Sequence, residues 1–112
     1  MRLFLLAIAT MSATIIGLAQ TQNTIDGDKG EIIITPIIHS SAQVEYAGKV
    51  IHIDPWSAGD LSNAKPADLI LITDDPGHHL DPEAIISLRK PEAPVVLTQT
   101  APRPSAGFVS IA

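Results

Sequence analysis

The chain has 112 residues, no cysteine and a formal net charge of −5. An acidic chain is not expected to bind nucleic acid, which requires a clustered basic face, and it is poorly suited to an anionic membrane surface. Without cysteine it has no disulfide, so packing or a bound metal must stabilise it. Its length allows one small domain with a modest core.

The first residues are typical of a secretory signal peptide. Met1 and Arg2 form a short positive start, and residues 3–18 are mostly apolar. Gly17 and Ala19 then offer small side chains at the two positions that a signal peptidase reads. We expect cleavage after Ala19, export to the periplasm or the extracellular space, and no stable membrane insertion afterwards. The alternative is an uncleaved anchor, but the apolar run is shorter than the roughly 20 residues of a spanning helix.

Short segments rich in β-branched or alternating apolar residues follow a polar stretch, residues 20–30, that we expect to be a flexible leader. The predicted strands are residues 31–38, 42–46, 49–53, 68–73, 93–98 and 107–111. The second and third of these form a predicted hairpin around the turn at Ala47 and Gly48. Residues 68–73 are an almost continuous aliphatic run, which is typical of a strand covered on both faces.

One helix is predicted between the strands at 68–73 and 93–98. Asp81 is a suitable N-cap, Pro82 suits the first helical position, and Pro91 ends the helix after Leu88 or Arg89. The chain then ends inside its last predicted strand, although domains rarely stop with an exposed edge. We therefore expect residues 31–112 to be a partial, truncated domain.

Several reactive side chains lie close together in the loop between the strand at 68–73 and the helix. Its side chains that can bind a metal ion or transfer a proton are Asp74, Asp75, His78, His79 and Asp81. Loops that follow a rigid strand often carry catalytic groups. Asp75 is a candidate general base, but Asp74 and Asp75 also suit a turn. The two histidines could bind a metal, or they could form a solvated pair near the helix start.

Three signatures together resemble metallo-β-lactamase-fold hydrolases, in particular the branch that contains ascorbate-6-phosphate lactonase. They are His39-Ser40 after the first predicted strand, Asp54-Pro55-Trp56 after the third, and the loop that starts at Thr73. The resemblance covers about residues 32–98. It implies an α/β fold, the N-terminal half of an αββα metallo-β-lactamase-like sandwich with a mixed β-sheet, one clear helix and metals at the sheet edge.

The family loop after the threonine reads His-x-His-x-Asp-His, and it binds two metal ions that activate a bridging water. In this chain Asp74 stands at the first histidine position, Pro76 at the second and His78 at the aspartate position, while His79 keeps the last histidine. Pro76 cannot ligate through its side chain. The resemblance therefore implies a degenerate metal site formed by Asp74, His78 and His79, with zinc or manganese as the metal.

The resemblance gives two further residues a place near this loop. It implies that Asp54 orients the metal loop from behind the ligands. It places His39 at the mouth of the site, although a satisfied histidine at a strand end is an equally simple interpretation. No nucleophile elbow accompanies His39 and Ser40, so the pattern does not predict nucleophilic catalysis.

The leading functional hypothesis is a metal-dependent hydrolase-like protein that acts on a small-molecule substrate, truncated or divergent, with weak or no activity alone. The alternative is an exported, non-catalytic binding or scaffold module with the same fold. A non-functional fragment is the third possibility. Because the absent half would cover one sheet face, we also expect self-association through that uncovered face.

Overall fold

The computed structural model describes residues 20–98 and, for its backbone alone, a strand at 108–110. The predicted signal peptide, residues 1–19, lies outside the described residues. The elements in chain order are β1 Asn23–Gly27, β2 Gly30–Ile38, β3 Ser41–Tyr46, β4 Lys49–Ile53, β5 Leu69–Leu71, α1 Pro82–Leu88, β6 Val95–Leu97 and β7 Phe108–Ser110. No helix within the described ranges has the length and hydropathy needed to cross a membrane.

All seven strands form one mixed sheet, and their order in space is their order in the chain. Strands β1 to β4 pair antiparallel through short turns, and β4 to β7 pair parallel. Parallel neighbours need a crossover connection, and α1 supplies it between β5 and β6. The predicted α/β class, with a mixed β-sheet and one clear helix, is confirmed.

The segment predicted to be a flexible leader instead contains the edge strand β1. Ile25 lies opposite Ile32, and the turn between the strands uses a positive φ of 105° at Gly30. Gly27 is also needed there, because a Cβ on it would lie 2.8 Å from Cε2 of Tyr46. The polar composition of this segment concealed a strand that is stabilised mainly by pairing with β2.

The turn between β3 and β4 follows its sequence signal. Ala47 and Gly48 have φ values of 49° and 75°. Two successive positive φ angles define the type I′ turn, whose twist matches that of the hairpin strands. The predicted hairpin is therefore confirmed.

The helix also begins and ends where its signals predict. Asp81 is the N-cap, and its Oδ1 accepts hydrogen bonds from the backbone N–H groups of Glu83 (2.9 Å) and Ala84 (3.3 Å). Pro82 occupies the first turn, and the helix ends at Leu88. The apolar side of α1 then packs over the sheet, since Ile85 is only 2% exposed.

The two faces of the sheet have different surroundings. One row of cross-strand neighbours is buried throughout: Thr35, Gln43, His52, Ile70 and Val95. This covered face forms the core with the helix. On the other face Leu69 and Leu71 remain half-exposed. Among residues 20–98 the strand is covered by α1 on the side of Ile70, and a cover for its second face stays a prediction.

The long loop from β4 to β5 is tied to the covered face by polar side chains. The N–H of Lys65 donates to Oε1 of Gln43 (2.8 Å), and Nε2 of His52 donates to the carbonyl of Lys65 (2.8 Å). Nδ1 of His52 is buried without a hydrogen-bond partner. Burial lowers the pKa of His52 below 6.5, against the opposing effect of its bond to Lys65, so its ring is neutral near pH 7.

Candidate functional site

The candidate site lies where β4 and β5 end side by side. Because these strands are parallel, the residues that follow them meet at one edge of the sheet. Asp54 comes directly after β4, and its N–H donates to the carbonyl of Leu71 (2.9 Å). Asp54 is fully buried and has a φ of 43°, a left-handed conformation that aspartate tolerates better than most residues.

The carboxylate of Asp54 binds the predicted metal loop at both of its ends. Oδ1 accepts the N–H of Thr73 (2.7 Å), and Oδ2 accepts the hydroxyl of Thr73 (2.6 Å). Oδ2 also lies 2.7 Å from Nδ1 of His79. A buried carboxylate is costly unless it is paired and hydrogen-bonded, and here all its recorded partners belong to the loop. Asp54 therefore fixes the start and the end of the loop together.

The short contact between Asp54 and His79 indicates which nitrogen of the imidazole carries a proton. An ionised carboxylate can only accept hydrogen bonds, so the proton at 2.7 Å must sit on Nδ1 of His79. In a neutral ring Nε2 then keeps its lone pair. The hydroxyls of Ser40 and Thr73 lie 3.1 Å and 3.3 Å from the same Nδ1. The ring is held on one side, and the side chain is still 18% exposed.

Three further aromatic rings gather beside His79. The ring centroid of His78 lies 4.4 Å from that of His79 and 6.1 Å from that of Trp56. His39 lies 5.3 Å from Trp56 and 6.4 Å from His78, measured in the same way. His39 is exposed and has a φ of 49°, which turns the chain sharply after β2. We call His39, Trp56 and His78 the ring cluster.

The two acidic residues that begin the loop make local contacts. Oδ1 of Asp74 accepts the N–H of Asp75 (2.8 Å), which is turn chemistry. Oδ1 of Asp75 accepts the hydroxyl of Thr98 (3.3 Å). The structure thus brings His78 and His79 together with Asp54 behind them, and no recorded hydrogen bond joins either acid to these histidines. The roles of Asp74 as a metal ligand and Asp75 as a general base stay predictions.

The predicted metal site is incomplete in the described part of the chain. A catalytic zinc ion takes three protein ligands and keeps one open position. No group of three or more His, Cys, Asp or Glu side chains that could hold a metal occurs among residues 20–98. The residues present supply two adjacent imidazoles, His78 and His79. They do not by themselves fit a metal ion of this kind.

Ser57 gives the site a support that the sequence analysis missed. Oδ2 of Asp81 accepts the N–H (2.8 Å) and the hydroxyl (2.6 Å) of Ser57, while its other oxygen caps α1. Burial raises the pKa of Asp81, but the hydrogen bonds from Ser57 and from the first turn of α1 outweigh burial and lower it. The loop that carries Trp56 is thereby attached to the helix start.

The sequence signatures include Ser40 and Thr73 but assign no function to their hydroxyls. Both contact Nδ1 of His79. The available signal was position, because each follows a strand that ends at the same sheet edge. Contacts across 39 and 6 residues of sequence become visible only once the sheet order is known.

Comparison with known proteins gives one informative match. No family model matches the chain, and neither does any curated protein. The chain is similar to a crystal structure of a protein from Parabacteroides distasonis that is named for its proposed metal-dependent hydrolase activity. The identity is 33%, the TM-score is 0.66, and the match covers 71% of this chain but 37% of that one. This chain thus spans little more than a third of that protein.

The match agrees with the architecture derived above. At this identity and TM-score it supports a fold like that of a metal-dependent hydrolase. An α/β domain with a mixed sheet is what a partial metallo-β-lactamase-like sandwich requires. Nothing in the match favours the lactonase branch. The chain therefore has a metal-dependent hydrolase-like fold, with the Asp54–His79 pair at the edge of its sheet.

Proposed function

We propose that this chain is a hydrolase-like domain whose reactive centre is the Asp54–His79 pair. The observation that carries the proposal is the 2.7 Å contact between Oδ2 of Asp54 and Nδ1 of His79. A carboxylate in this position fixes the tautomer and orientation of an imidazole, both in metal sites and in general-base catalysis. The similarity to a metal-dependent hydrolase supports the same class of reaction.

The chemistry of this pair is the removal of a proton from water. Nε2 of His79 accepts the proton while the water oxygen attacks the electrophilic carbon of a small-molecule substrate such as an ester or lactone. Asp54 stabilises the imidazolium that forms and remains ionised. The imidazolium then returns the proton to the leaving oxygen. Ser40 and Thr73 hold the ring during these steps through their contacts at Nδ1.

A metal ion is suggested for the fold by the similar hydrolase, and zinc or manganese would suit imidazole and carboxylate ligands. Among the residues that the structure describes, three such ligands do not converge. A bound ion would therefore need a ligand from elsewhere in addition to His78 and His79. The finer assignment, to the lactonase-like branch of the metallo-β-lactamase fold, rests on the His39-Ser40, Asp54-Pro55-Trp56 and Thr73 signatures alone.

The test is hydrolysis of a panel of activated esters and lactones by His79→Gln, with His78→Gln as the matched control. His78 is the adjacent exposed imidazole, and no hydrogen bond to Asp54 is recorded for it. We expect His79→Gln to lose about 100-fold or more of the rate, the range of general-base contributions. The control variant should keep most of it.

Each assay is run with chelator and with added zinc or manganese. Equal losses in the two variants with chelator present would show that the contact with Asp54 gives His79 no special role, and the proposal would then be wrong. A rate that appears only with metal would instead show that the missing ligand is available. Far-UV circular dichroism of both variants verifies that the fold is intact.

A second candidate function is non-catalytic binding, and the ring cluster favours it. His39, Trp56 and His78 present three aromatic rings beside the pair, an arrangement that suits a planar ligand. Trp56 is the single tryptophan of the chain, so its fluorescence reports directly on this place. Ligand-dependent quenching that persists in His79→Gln, without any turnover, would favour the binding module.

We also propose that the protein is exported. The support is the signal-peptide pattern of the N-terminal residues, with cleavage after Ala19. Sequencing the N-terminus of the secreted protein tests this, and Gln20 is the expected first residue.

A further inference from the structure

Two polar side-chain atoms in the interior of the protein have no recorded hydrogen-bond partner. They are Oγ of Ser41, at the start of β3, and Nδ1 of His52, near the end of β4. No other buried side-chain nitrogen or oxygen among residues 20–98 is left in this way. Ser41 is 2% exposed and His52 is 0% exposed. A buried polar group without a hydrogen bond is costly, so each atom requires a partner inside the fold.

The register of the hairpin places these two atoms on the same face of neighbouring strands. Gln43 pairs with His52 across β3 and β4, and Ser41 precedes Gln43 by two residues, so its side chain also lies on the covered face. Ser41 and His52 are therefore diagonal neighbours, whose Cα atoms lie about 7–8 Å apart with the side chains closer. One water molecule with hydrogen bonds of about 2.8 Å joins atoms up to about 5.6 Å apart. The placement thus suits a single bridging water.

The contact with Lys65 determines which kind of partner His52 needs. A carbonyl oxygen can only accept, so Nε2 of His52 carries the proton that it donates to the carbonyl of Lys65 (2.8 Å). Nδ1 of the neutral ring then has a lone pair and needs a donor, whereas the hydroxyl of Ser41 can both donate and accept. A water molecule satisfies both side chains, because it donates one hydrogen to Nδ1 and accepts the hydrogen of the Ser41 hydroxyl.

The surroundings of the two atoms favour water over other partners. The side chains do not bond directly to each other, since no hydrogen bond is recorded for either atom. A further segment of chain packed on the surface does not reach atoms that already lie inside. Buried water occurs about once per 27 residues in folded proteins and bonds to polar groups that lack another partner. We propose that a water molecule is bound inside the protein between Oγ of Ser41 and Nδ1 of His52.

The bound water connects two parts of the protein that support the candidate site. On one side His52 holds the loop between β4 and β5 through the carbonyl of Lys65. On the other side Ser41 directly follows Ser40, whose hydroxyl lies 3.1 Å from Nδ1 of His79. A water that bridges buried polar groups is part of the structure and is costly to remove. It therefore stabilises the attachment of this loop to the start of β3.

The proposal is tested on the full chain with an isosteric pair of substitutions, Ser41→Thr and Ser41→Val. Both place a β-branched side chain of similar size in β3, and only threonine keeps the hydroxyl. Oxygen-17 magnetic relaxation dispersion counts long-lived buried water without a contribution from exchanging hydroxyl protons. We expect one fewer such water in Ser41→Val than in Ser41→Thr, and the same number in Ser41→Thr as in the parent. Equal counts in Ser41→Val and the parent would overturn the proposal.

A second measurement uses substitutions that add no bulk, Ser41→Ala and His52→Gln. Glutamine can still donate to Lys65 but has no counterpart of Nδ1. Because one water joins both side chains, the unfolding equilibrium constant of the double variant should differ from the product of the single effects by at least about threefold.

Ser87→Ala is the matched control for this cycle, because it removes an exposed hydroxyl on α1. Its effect should combine with that of His52→Gln to within about twofold. Independent effects of Ser41→Ala and His52→Gln would contradict a shared water. Coupling between them without any change in the water count would show a direct hydrogen bond and would also overturn the proposal.

Discussion

The two faces of the sheet differ in a way that reverses the simplest expectation from composition. The covered face carries polar side chains, including Gln43, His52 and Asp54, all of them buried. On the opposite face Val44, Ile51, Leu69 and Leu71 are half-exposed, although all four are aliphatic. Hydrophobicity alone therefore does not decide which face is covered. The connection between β5 and β6 passes over one side of the sheet, and the polar groups on that side are paired with the loops that accompany it.

This pairing turns the covered face into the support of the candidate site. Gln43 and His52 bind the backbone of Lys65, and Asp54 binds Thr73 and His79. Each of these contacts joins a strand to a loop. The covered face thus stabilises the fold and positions the site through the same side chains, so substitutions there should affect both properties.

The largest expected effect is that of Asp54→Ala. The change removes a buried carboxylate and leaves the N–H of Thr73 and Nδ1 of His79 without their partner. Loss of one member of a buried pair typically costs about 3–5 kcal/mol, and alanine also adopts the positive φ of 43° poorly. Urea unfolding measures the loss of free energy.

Asp54→Asn is the companion of that variant, because it keeps the size and the backbone conformation. In the parent, ¹⁵N-resolved NMR of the imidazoles should show His79 as the Nδ1–H tautomer, and Asp54→Asn should shift this balance. A parent spectrum with the proton on Nε2 of His79 would contradict the assigned pairing, whatever the stability of the variants.

The next expected effect compares neighbouring residues of β5 on opposite faces. Ile70 is fully buried, so Ile70→Ala should cost about 2–5 kcal/mol, the range for large-to-small changes in a core. Leu69 is half-exposed on the opposite face, so Leu69→Ala should cost about 1 kcal/mol because less area leaves contact. Urea unfolding at low concentration measures both. Similar losses would mean that the side of the sheet that carries Leu69 is also covered in solution.

Local signals in the sequence were enough to place most of the elements. The turn at Ala47 and Gly48 and the cap at Asp81 and Pro82 are each set by neighbouring residues, and the structure reproduces both. Strand β1 was not predicted, because its polar sequence carries no strand signal and its stability comes from pairing with β2.

The arrangement of the site was less accessible from sequence. Asp54 and His79 are 25 residues apart, and no spacing rule joins them. Resemblance to a family pointed to both residues, but the contacts of Ser40 and Thr73 with Nδ1 of His79 depend on the order of the strands. The aliphatic run of β5 could not show which of its faces is covered, because both faces have the same composition.

A smaller effect concerns His52 on the covered face. Burial lowers the pKa of His52 in the folded chain below the unfolded value of 6.5. At a pH between these two pKa values, the unfolded chain binds a proton at His52 and the folded chain does not. His52 therefore contributes a loss of stability as the pH falls below about 6.5. Urea midpoints of the parent and of His52→Gln, measured from about pH 8 to about pH 5, should converge towards acid. A constant difference between them would show that His52 does not titrate in this way.

The smallest expected effect involves Asp81, which holds the start of the helix that covers the face. Asp81→Ala removes the cap and should cost about 1 kcal/mol, the usual value for an N-cap, while Ser57→Ala removes only one hydroxyl bond and should cost less. Because the pKa of Asp81 is lowered, its contribution is complete above 3.8 and is lost as the pH falls through the folded value. Hydrogen exchange resolves where the loss occurs. We expect faster exchange in the first turn of α1 and unchanged exchange in strands β3 and β4, because the cap stabilises the helix and not the sheet. Faster exchange across all strands would show that the helix and the sheet open as one unit.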